Sequence, residues 1–207
     1  MIKILLNYNV GIFNQESFKS VMELDFSGTE TDILVNIFNK EDPLYEKGIE
    51  TNTKWRSIIA GKMNKGRMLT IKNNYDYMLS VEHDIIADKT SLQKLLKYAN
   101  TTTVVSGAYR LRKLRNKECP LCWLMGDSKK SRWANDEDIK NKEIINVYLV
   151  PYGFTLFPRQ VLQQLPLFDQ ELDGTTAIHL EKMAIQKLIC LETNLKHLDR
   201  DGGIYEI

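Results

Sequence analysis

The chain has 207 residues, of which 43% are hydrophobic and 27% are charged. This length suits one globular domain with a full sheet and covering helices, and the composition is ordinary for such a domain. Because 28 Lys and Arg residues face 27 Asp and Glu residues, the net charge is only +1 and we expect no nucleic-acid partner. The chain lacks an apolar run of about 18 residues and a signal peptide, so we expect no membrane span and a cytoplasmic location.

Two apolar segments predict the first strands of a sheet. Ile2–Leu6 is a continuous apolar run that precedes a polar loop, and Thr31–Phe38 is rich in β-favouring residues. The loop after the first strand lies at the sheet edge where ligands bind in α/β proteins. Its Tyr8 and Asn9 are therefore candidates to face a nucleotide base.

Two further segments have the apolar spacing of helices that cover a sheet. These are Ser17–Leu24 and Lys54–Lys72. Gly61 and Gly66 lie inside the second segment, and each weakens a helix by about 1 kcal/mol relative to alanine. Their presence indicates close packing or bending of that helix.

The most informative stretch is a nearly uncharged run, Tyr77–Val81, that stops on Glu82-His83-Asp84. Such a run predicts a strand buried on both faces. Alternation along a strand predicts that the side chains of Glu82 and Asp84 point the same way, at the edge where ligands bind. Two carboxylates there can hold a hard divalent cation. The alternative is that both acids only solvate the end of the strand.

The following segment predicts a helix and another strand. Asp88 is placed to cap a helix that runs through Leu92–Leu96. Thr101–Ser106 is rich in β-branched residues and predicts a strand. Residues 111–142 lose apolar periodicity and fill with charged residues, so we expect an irregular excursion and not a second domain.

Cys119 and Cys122 lie in this excursion with the spacing of a metal knuckle or a redox pair. A zinc site needs two more ligands, and no second close cysteine pair exists in the sequence. Two loop thiols or a local disulfide are the alternatives, and the sequence leaves their role open.

The last third of the chain predicts a strand over Glu143–Val150, a helix over Arg159–Leu165 with Pro158 in its first turn, and a helix that starts near Asp173. Four residues form the inner face of the last helix: Ala177, Leu180, Ala184 and Leu188. His179 in that helix is expected to be a packed or surface histidine.

In this order, the segments resemble the GT-A-fold, family-two-like glycosyltransferases, and the resemblance covers nearly the whole chain. It implies an α/β fold of GT-A (Rossmann-like) type, with a mixed, mostly parallel sheet flanked by helices in one domain, 1–207. Residues 1–100 would form the nucleotide-binding half. Residues 101–207 would form the acceptor-side half, with the excursion at 111–142 contacting the acceptor.

The resemblance also implies a metal site and a catalytic base. In these enzymes a buried strand ends in an Asp-x-Asp motif that holds the donor ribose and a metal ion. Asp84 matches the second acid, and Glu82 replaces the first with one more methylene. His197 matches the late histidine that completes the metal site. Asp173 lies 24 residues before His197 (197 − 173) and corresponds to the base, with a helix N-cap as the alternative.

Five more residues receive donor contacts from the resemblance. Asn39 and Asp42 follow the second strand, where relatives hold the base. Lys65 and Arg67 lie in a basic stretch near the donor diphosphate. Gly153 belongs to a glycine-centred segment at which the backbone can approach a sugar closely.

The function implied is transfer of a sugar from a nucleotide-diphosphate sugar to a hydroxyl of a glycan, lipid or protein acceptor, with Mn²⁺ or Mg²⁺ and with inversion. A non-catalytic module that binds nucleotide sugars or glycans is one alternative. A nucleotidyltransferase is another, but it would favour a Gly-rich basic loop after the first strand, which Asn7–Gly11 is not. If Asp173 is not the base, Glu171 and Glu181 are the next candidates.

Overall fold

The computed structural model describes residues 1–10, 14–37, 52–109, 123–125, 131–169, 173–198 and 204–205. The strands in these ranges are β1 Ile2–Val10, β2 Thr29–Ile37, β3 Tyr77–Glu82, β4 Ile85–Ala87, β5 Thr103–Gly107, β6 Trp123–Met125, β7 Ser131–Trp133, β8 Ile144–Asn146, β9 Phe154–Pro158, β10 Gln186–Cys190, β11 Leu195–Leu198 and β12 Ile204–Tyr205. The helices are α1 Gln15–Met22, α2 Asn52–Lys72, α3 Ser91–Leu96, α4 Asp136–Ile139, α5 Arg159–Gln164 and α6 Asp173–Lys182.

The main sheet has seven strands in the order β2-β1-β3-β9-β5-β10-β8. β1 is parallel to both β2 and β3, and β5 is parallel to β10. β9 is inserted antiparallel between β3 and β5, and β8 is antiparallel to β10 at the edge. The sheet is therefore mixed and mostly parallel, and it is flanked by helices in a single domain, as predicted.

Both faces of the sheet are buried, which explains the uncharged run in β3. Met78 and Ser80 point to the side that α2 covers, where Met63 lies in the same apolar cluster as Met78. Leu79 and Val81 point to the other side, into a cluster that includes residues of α1 and α3. Alternate residues of a strand face opposite sides, so a central strand needs apolar residues at nearly every position.

Two side chains fasten α2 to the segment around α5. The amide of Asn64 donates to the carbonyl of Phe168 (2.8 Å) and accepts from its N–H (2.9 Å). The guanidinium of Arg67 donates to the carbonyls of Leu162 (2.7 Å) and Leu165 (2.6 Å). Because these carbonyls lie at the end of α5, where a helix leaves acceptors unsatisfied, Arg67 acts as a side-chain cap.

A small antiparallel sheet, β12-β11-β4, lies beside the end of β3. In its register His197 pairs with Ile85, and the N–H of Leu198 donates to the carbonyl of Asp84 (2.8 Å). The segment near the C-terminus is thus brought back to the residues that directly follow β3.

The described part of the predicted excursion is more regular than expected. It contains a two-stranded hairpin of β6 and β7, followed by α4. Arg132 and Asp138 join these elements through two hydrogen bonds of 2.6 and 2.8 Å. This bond to Arg132 lowers the pKa of the Asp138 carboxyl to about 2.

The last helix is shorter than predicted, and the residues beyond it form a further strand of the main sheet, β10, next to the edge strand β8. α6 ends at Lys182, a turn follows with Ala184 at φ +53°, and Leu188 lies on β10. β9 was likewise not predicted as a strand. Short apolar runs that are buried on all sides do not show by periodicity whether they are helix or strand, so only their pairing reveals these two elements.

The end of β1 and the start of α3 also differ from the prediction. β1 continues through Val10, so the predicted loop at Asn7 is part of the strand. α3 begins at Ser91 and not directly after Asp88. The Asp88 carboxylate instead accepts from the N–H and hydroxyl of Thr90, both at 2.7 Å, in a local turn that precedes the helix. Among the described residues, no helix has the length and apolar character that crossing a bilayer requires.

Candidate functional site

The candidate site is a carboxylate and an imidazole at the carboxyl end of β3. Asp84 lies in the turn between β3 and β4, and His197 lies on β11. Their side chains are only 13% and 8% exposed, and Oδ2 of Asp84 is 3.4 Å from Nε2 of His197. The pairing of β11 with β4 sets this contact, because it places His197 opposite Ile85, the neighbour of Asp84.

Tyr109 and Gly153 surround this pair. The ring of Tyr109 lies 5.5 Å from the ring of His197, centroid to centroid. Its hydroxyl oxygen accepts from the N–H of Gly153 (3.1 Å), whose carbonyl accepts from the N–H of Glu82 (2.9 Å). The group that lies close to the Gly153 backbone in this structure is the Tyr109 phenol, and the approach of a sugar to Gly153 stays a prediction.

Tyr8 lies beneath the site in the core. Its side chain is fully buried, and its hydroxyl donates to Ser17 (3.0 Å), which in turn donates to the carbonyl of Ile85 (2.6 Å). Burial raises the pKa of Tyr8, with the charge of Asp84 adding to the effect and the Ser17 hydrogen bond opposing it. The predicted contact between Tyr8 and a nucleotide base is wrong for this structure, because a core side chain has no face left for a ligand.

Asn9 is also inside the fold, in a group that the sequence did not predict. Asn7, Asn9 and Asn36, which we call the amide cluster, are all buried. Nδ2 of Asn36 donates to Oδ1 of Asn7 (2.7 Å) and of Asn9 (3.1 Å). Nδ2 of Asn9 lies 3.7 Å from the sulfur of Met63 on α2. The side chain of Asn9 therefore serves the packing of β1, β2 and α2. The predicted contact between Asn9 and a nucleotide base is wrong for this structure, because the side chain is buried.

The amide cluster had a recognisable trace in the sequence. Asn7 and Asn9 alternate with Tyr8 directly after an apolar run, and Asn36 interrupts the second strand. Buried amides in strands need partners, so three of them near the ends of adjacent strands indicate mutual hydrogen bonding. The early placement of the loop at Asn7 concealed this pattern.

Glu82 does not share the site of Asp84. It is the last residue of β3, and the chain turns at His83, so the alternation that would align the two carboxylates is broken. Among the described residues no group of three or more His, Cys, Asp or Glu side chains is placed to hold a metal ion. The structure therefore brings Asp84 together with His197 and does not add Glu82 as a third ligand.

Asp84 and His197 nevertheless suit a metal that is also held by its substrate. Mg²⁺ takes octahedral ligands at about 2.1 Å, so two adjacent ligands lie about 3 Å apart, close to the separation of Oδ2 and Nε2. Such ions use few protein ligands and are completed by water and phosphate oxygens. Nδ1 of His197 is buried without a hydrogen-bond partner among the described residues, so no hydrogen bond at that nitrogen fixes which of the two ring nitrogens carries the proton. Carboxylate and imidazole are also accepted by Mn²⁺.

The remaining predicted site residues lie on α2 or α6, or outside the described residues. Lys65 is exposed on α2, and Arg67 is hydrogen-bonded at the end of α5, so their contact with a diphosphate stays a prediction. Asn39 and Asp42 lie outside the described residues. Asp173 is the first residue of α6, and only its backbone is described. Cys119, Cys122 and Glu171 also lie outside the described ranges.

Known proteins resemble this chain in structure and not in sequence. No protein-family model matches it, and no curated protein matches it. A crystal structure of A197 from STIV is similar with a TM-score of 0.60 and 15% identity, over 100% of this chain and 94% of that one. A crystal structure of GalNAc-T7 with UDP, GalNAc and Mn²⁺ is similar with a TM-score of 0.58 and 11% identity, over 97% of this chain. This chain spans 44% of the length of the GalNAc-T7 chain.

Similarity at such low identity concerns the fold. The chain folds into the predicted architecture, a mixed, mostly parallel sheet with helices on both faces. The two structures above are similar to the chain in this fold. The chain therefore has a GT-A-like, Rossmann-like fold in a single domain, with the Asp84–His197 pair at the sheet edge where such folds bind their ligands.

Proposed function

We propose that this chain is a metal-dependent glycosyltransferase that moves a sugar from a nucleotide-diphosphate sugar to an acceptor hydroxyl. One observation carries the proposal: in a GT-A-like fold, Asp84 and His197 meet at 3.4 Å at the carboxyl end of β3. They come from distant parts of the sequence, and burying a carboxylate with an imidazole carries a desolvation cost that an apolar pair would not have. Buried polar groups of this kind at a sheet edge are characteristic of functional sites.

The pair suits the chemistry of a sugar-diphosphate bond. When this bond breaks, negative charge develops on the leaving diphosphate, and a bound Mn²⁺ or Mg²⁺ would neutralise it. Asp84 supplies a hard anionic oxygen, and His197 supplies a neutral nitrogen when it is deprotonated. Their small exposure keeps water away from both donor atoms, which strengthens the electrostatic interaction with an ion.

The base in this proposal is Asp173. A carboxylate that accepts the proton of the acceptor hydroxyl makes that oxygen a better nucleophile as it attacks the anomeric carbon. Attack from the side opposite the leaving diphosphate inverts the configuration at that carbon. Asp173 supports this role by its place at the start of α6, 24 residues (197 − 173) before His197. Glu181 is already paired with Lys187 of β10 and is a weaker candidate.

A UDP-linked sugar with Mn²⁺ is the donor to test first, because GalNAc-T7, which shares the fold, was crystallised with UDP, GalNAc and Mn²⁺. The acceptor class is a glycan, lipid or protein hydroxyl. Because the fold alone is shared, other nucleoside diphosphates belong in the same screen.

The first experiment is a thermal-shift screen of nucleoside diphosphates with and without Mn²⁺. A ligand at about 100 times its Kd adds about 2.7 kcal/mol, which corresponds to roughly 5–10 °C for a chain of this size. We expect one diphosphate to raise the melting temperature only when Mn²⁺ is present. The matched control is Asp84→Asn, which keeps the shape of the side chain and should lose this Mn²⁺-dependent rise. An equal rise in the variant would contradict the role of Asp84.

The second experiment measures transfer by Asp173→Asn with the donor identified in the screen. Asparagine caps a helix as well as aspartate but cannot take a proton. We expect unchanged donor affinity and a loss of transfer by about 10²–10⁴. Transfer at the parental rate would show that Asp173 is a cap, and Asp173→Ala should then cost about 1 kcal/mol of stability. Donor binding without transfer by the parent would favour a binding module.

A further inference from the structure

We propose that Tyr109 is a positioning residue that holds His197 against Asp84 and fixes the Gly153 turn beside them. The proposal rests on the proposed function in so far as the pair serves a metal, and it adds a residue to that site. Tyr109 directly follows β5, is only 3% exposed, and lies on the same side of the sheet as β11. Three independent contacts support this role.

The first contact is between rings. Tyr109 and His197 lie 5.5 Å apart, centroid to centroid, with their planes tilted by 40°. Tilted rings at this distance attract each other by about 0.5–1.5 kcal/mol beyond the area they bury. The imidazole thus has the Asp84 carboxylate near Nε2 and the tilted Tyr109 ring as a second neighbour. Two contacts in different directions restrict the rotation of the imidazole about its Cβ–Cγ bond.

The second contact is made by the Tyr109 hydroxyl. It accepts from the N–H of Gly153 at 3.1 Å, and a Cβ built on Gly153 would lie 2.4 Å from that hydroxyl oxygen. Position 153 therefore tolerates only glycine while the phenol is in place. The carbonyl of Gly153 accepts from the N–H of Glu82, two residues before Asp84. Through this chain of contacts the hydroxyl supports the backbone that leads to the carboxylate.

The third contact fixes the segment that carries the phenol. A Cβ on Gly107 would lie 2.4 Å from Cδ1 of Leu195 and 3.1 Å from the hydroxyl oxygen of Thr193. The N–H of Ala108 donates to that same Thr193 hydroxyl at 2.9 Å. Because Leu195 begins β11, the strand of His197, the backbone that carries Tyr109 and the strand that carries His197 are packed together at van der Waals distance.

Tyr109 therefore touches both halves of the site. Its ring contacts the imidazole, and its hydroxyl supports the turn next to the end of β3. If only core packing determined this position, a leucine of similar burial would serve. A positioning role instead requires the ring for His197 and the hydroxyl for Gly153, and these two requirements can be tested separately.

The test uses the imidazole signals of histidine in ¹⁵N NMR spectra at about pH 8, without metal or nucleotide. The chain has three histidines, and His197→Gln identifies the signal of interest. Nε2 faces the Asp84 carboxylate, so we expect the parent to hold one neutral tautomer with the proton on Nε2. In Tyr109→Leu we expect ¹⁵N shifts that report averaging of the two tautomers.

The matched control is Tyr75→Leu. Tyr75 is also buried, with its hydroxyl bonded to Asp32, but it lies before β3 at the opposite end of that strand. This variant should be destabilised without a change in the His197 tautomer. Equal tautomer averaging in both variants, or none in Tyr109→Leu, overturns the proposal.

Tyr109→Phe keeps the proposal testable if Tyr109→Leu does not fold. This variant should retain the fixed tautomer of His197, while the Gly153 amide, having lost its acceptor, exchanges with solvent about 2–10 times faster. Unchanged exchange at Gly153, or a mobile imidazole despite the retained ring, overturns the role of Tyr109.

Adding Mn²⁺ and UDP to the parent then tests the proposed function separately, because a metal at the site would broaden the His197 signal. An unbroadened signal would oppose the metal role and leave the positioning result intact.

Discussion

Two polar groups lie near the carboxyl ends of β1, β2 and β3, and they differ in charge and in exposure. The amide cluster of Asn7, Asn9 and Asn36 is neutral, buried and hydrogen-bonded within itself. The Asp84–His197 pair contains an acid, keeps some exposure, and has a single contact of 3.4 Å between its members. Neighbouring parts of one sheet edge thus hold side chains of different chemistry.

The difference follows from the chemistry of the side chains in each group. Amides offer both donors and acceptors, so a few of them satisfy one another and close a gap between strands and helix. A carboxylate and an imidazole are instead side chains that can bind a divalent cation. The neutral cluster therefore serves packing, and the ionisable pair is the candidate functional group.

The largest expected effect comes from placing a negative charge in the amide cluster. In Asn7→Asp an oxygen replaces the nitrogen that now points at Oδ1 of Asn9 (3.5 Å) and at the sulfur of Met63 (3.8 Å). A buried carboxylate facing acceptors should cost about 3 kcal/mol or more of unfolding free energy at pH 7. Chemical denaturation measures this loss.

The pH dependence of Asn7→Asp provides its control. Burial raises the pKa of the introduced carboxyl in the folded state, so the folded protein binds more protons than the unfolded one. The difference from the parent should vanish below about pH 4 and grow as pH rises above that value. A variant as stable as the parent at pH 7 would show that the cluster is more open to water than the structure indicates.

A smaller effect is expected at the helix that covers the amide cluster. A Cβ on Gly66 would lie 2.7–2.9 Å from side-chain atoms of Asn7, whereas a Cβ on Gly61 meets nothing within 4 Å. Gly66→Ala should lose about 1–3 kcal/mol from overpacking, partly offset by better helix propensity. Gly61→Ala should instead gain about 0.5–1 kcal/mol, because only the propensity changes. The same sign for both variants in thermal unfolding would contradict the close contact with Asn7.

The smallest effect on stability is expected from replacing the carboxylate of the Asp84–His197 pair by an amide. Asp84→Asn keeps the shape of the side chain and an acceptor oxygen for His197, so at about pH 8 its unfolding free energy should differ by about 1 kcal/mol or less. A loss as large as that of Asn7→Asp would assign the pair to structure. The contrast between these two isosteric exchanges is the sharpest test of the comparison.

The resemblance and the residue patterns together identified much of the fold. The apolar run that ends on acids located β3, and the helical spacing located α2. Of the two glycines inside that helix, Gly66 shows the predicted close packing, whereas Gly61 has open space around it. These features are local, because the periodicity of a segment reflects which of its faces are buried.

Local patterns did not separate helix from strand where a segment is buried all round. β9 and β10 are such segments, and their assignment depends on pairing with strands far away in the chain. The polar residues that follow Leu6 predict a loop, but in the structure the asparagines at the end of β1 are hydrogen-bonded to Asn36 of β2 and belong to the strand.

By itself, the sequence determined the acidic end of β3 and the candidate residues Asp84 and His197. Only the tertiary structure decided which of the candidates meet. The turn at His83 separates Glu82 from Asp84, and the register of β11 on β4 places His197 beside Asp84. Tyr8 and Asn9 went into the interior, because the extended β1 directs them alternately into the two buried faces of the sheet. Register and burial are properties of the assembled sheet, and no single segment contains them.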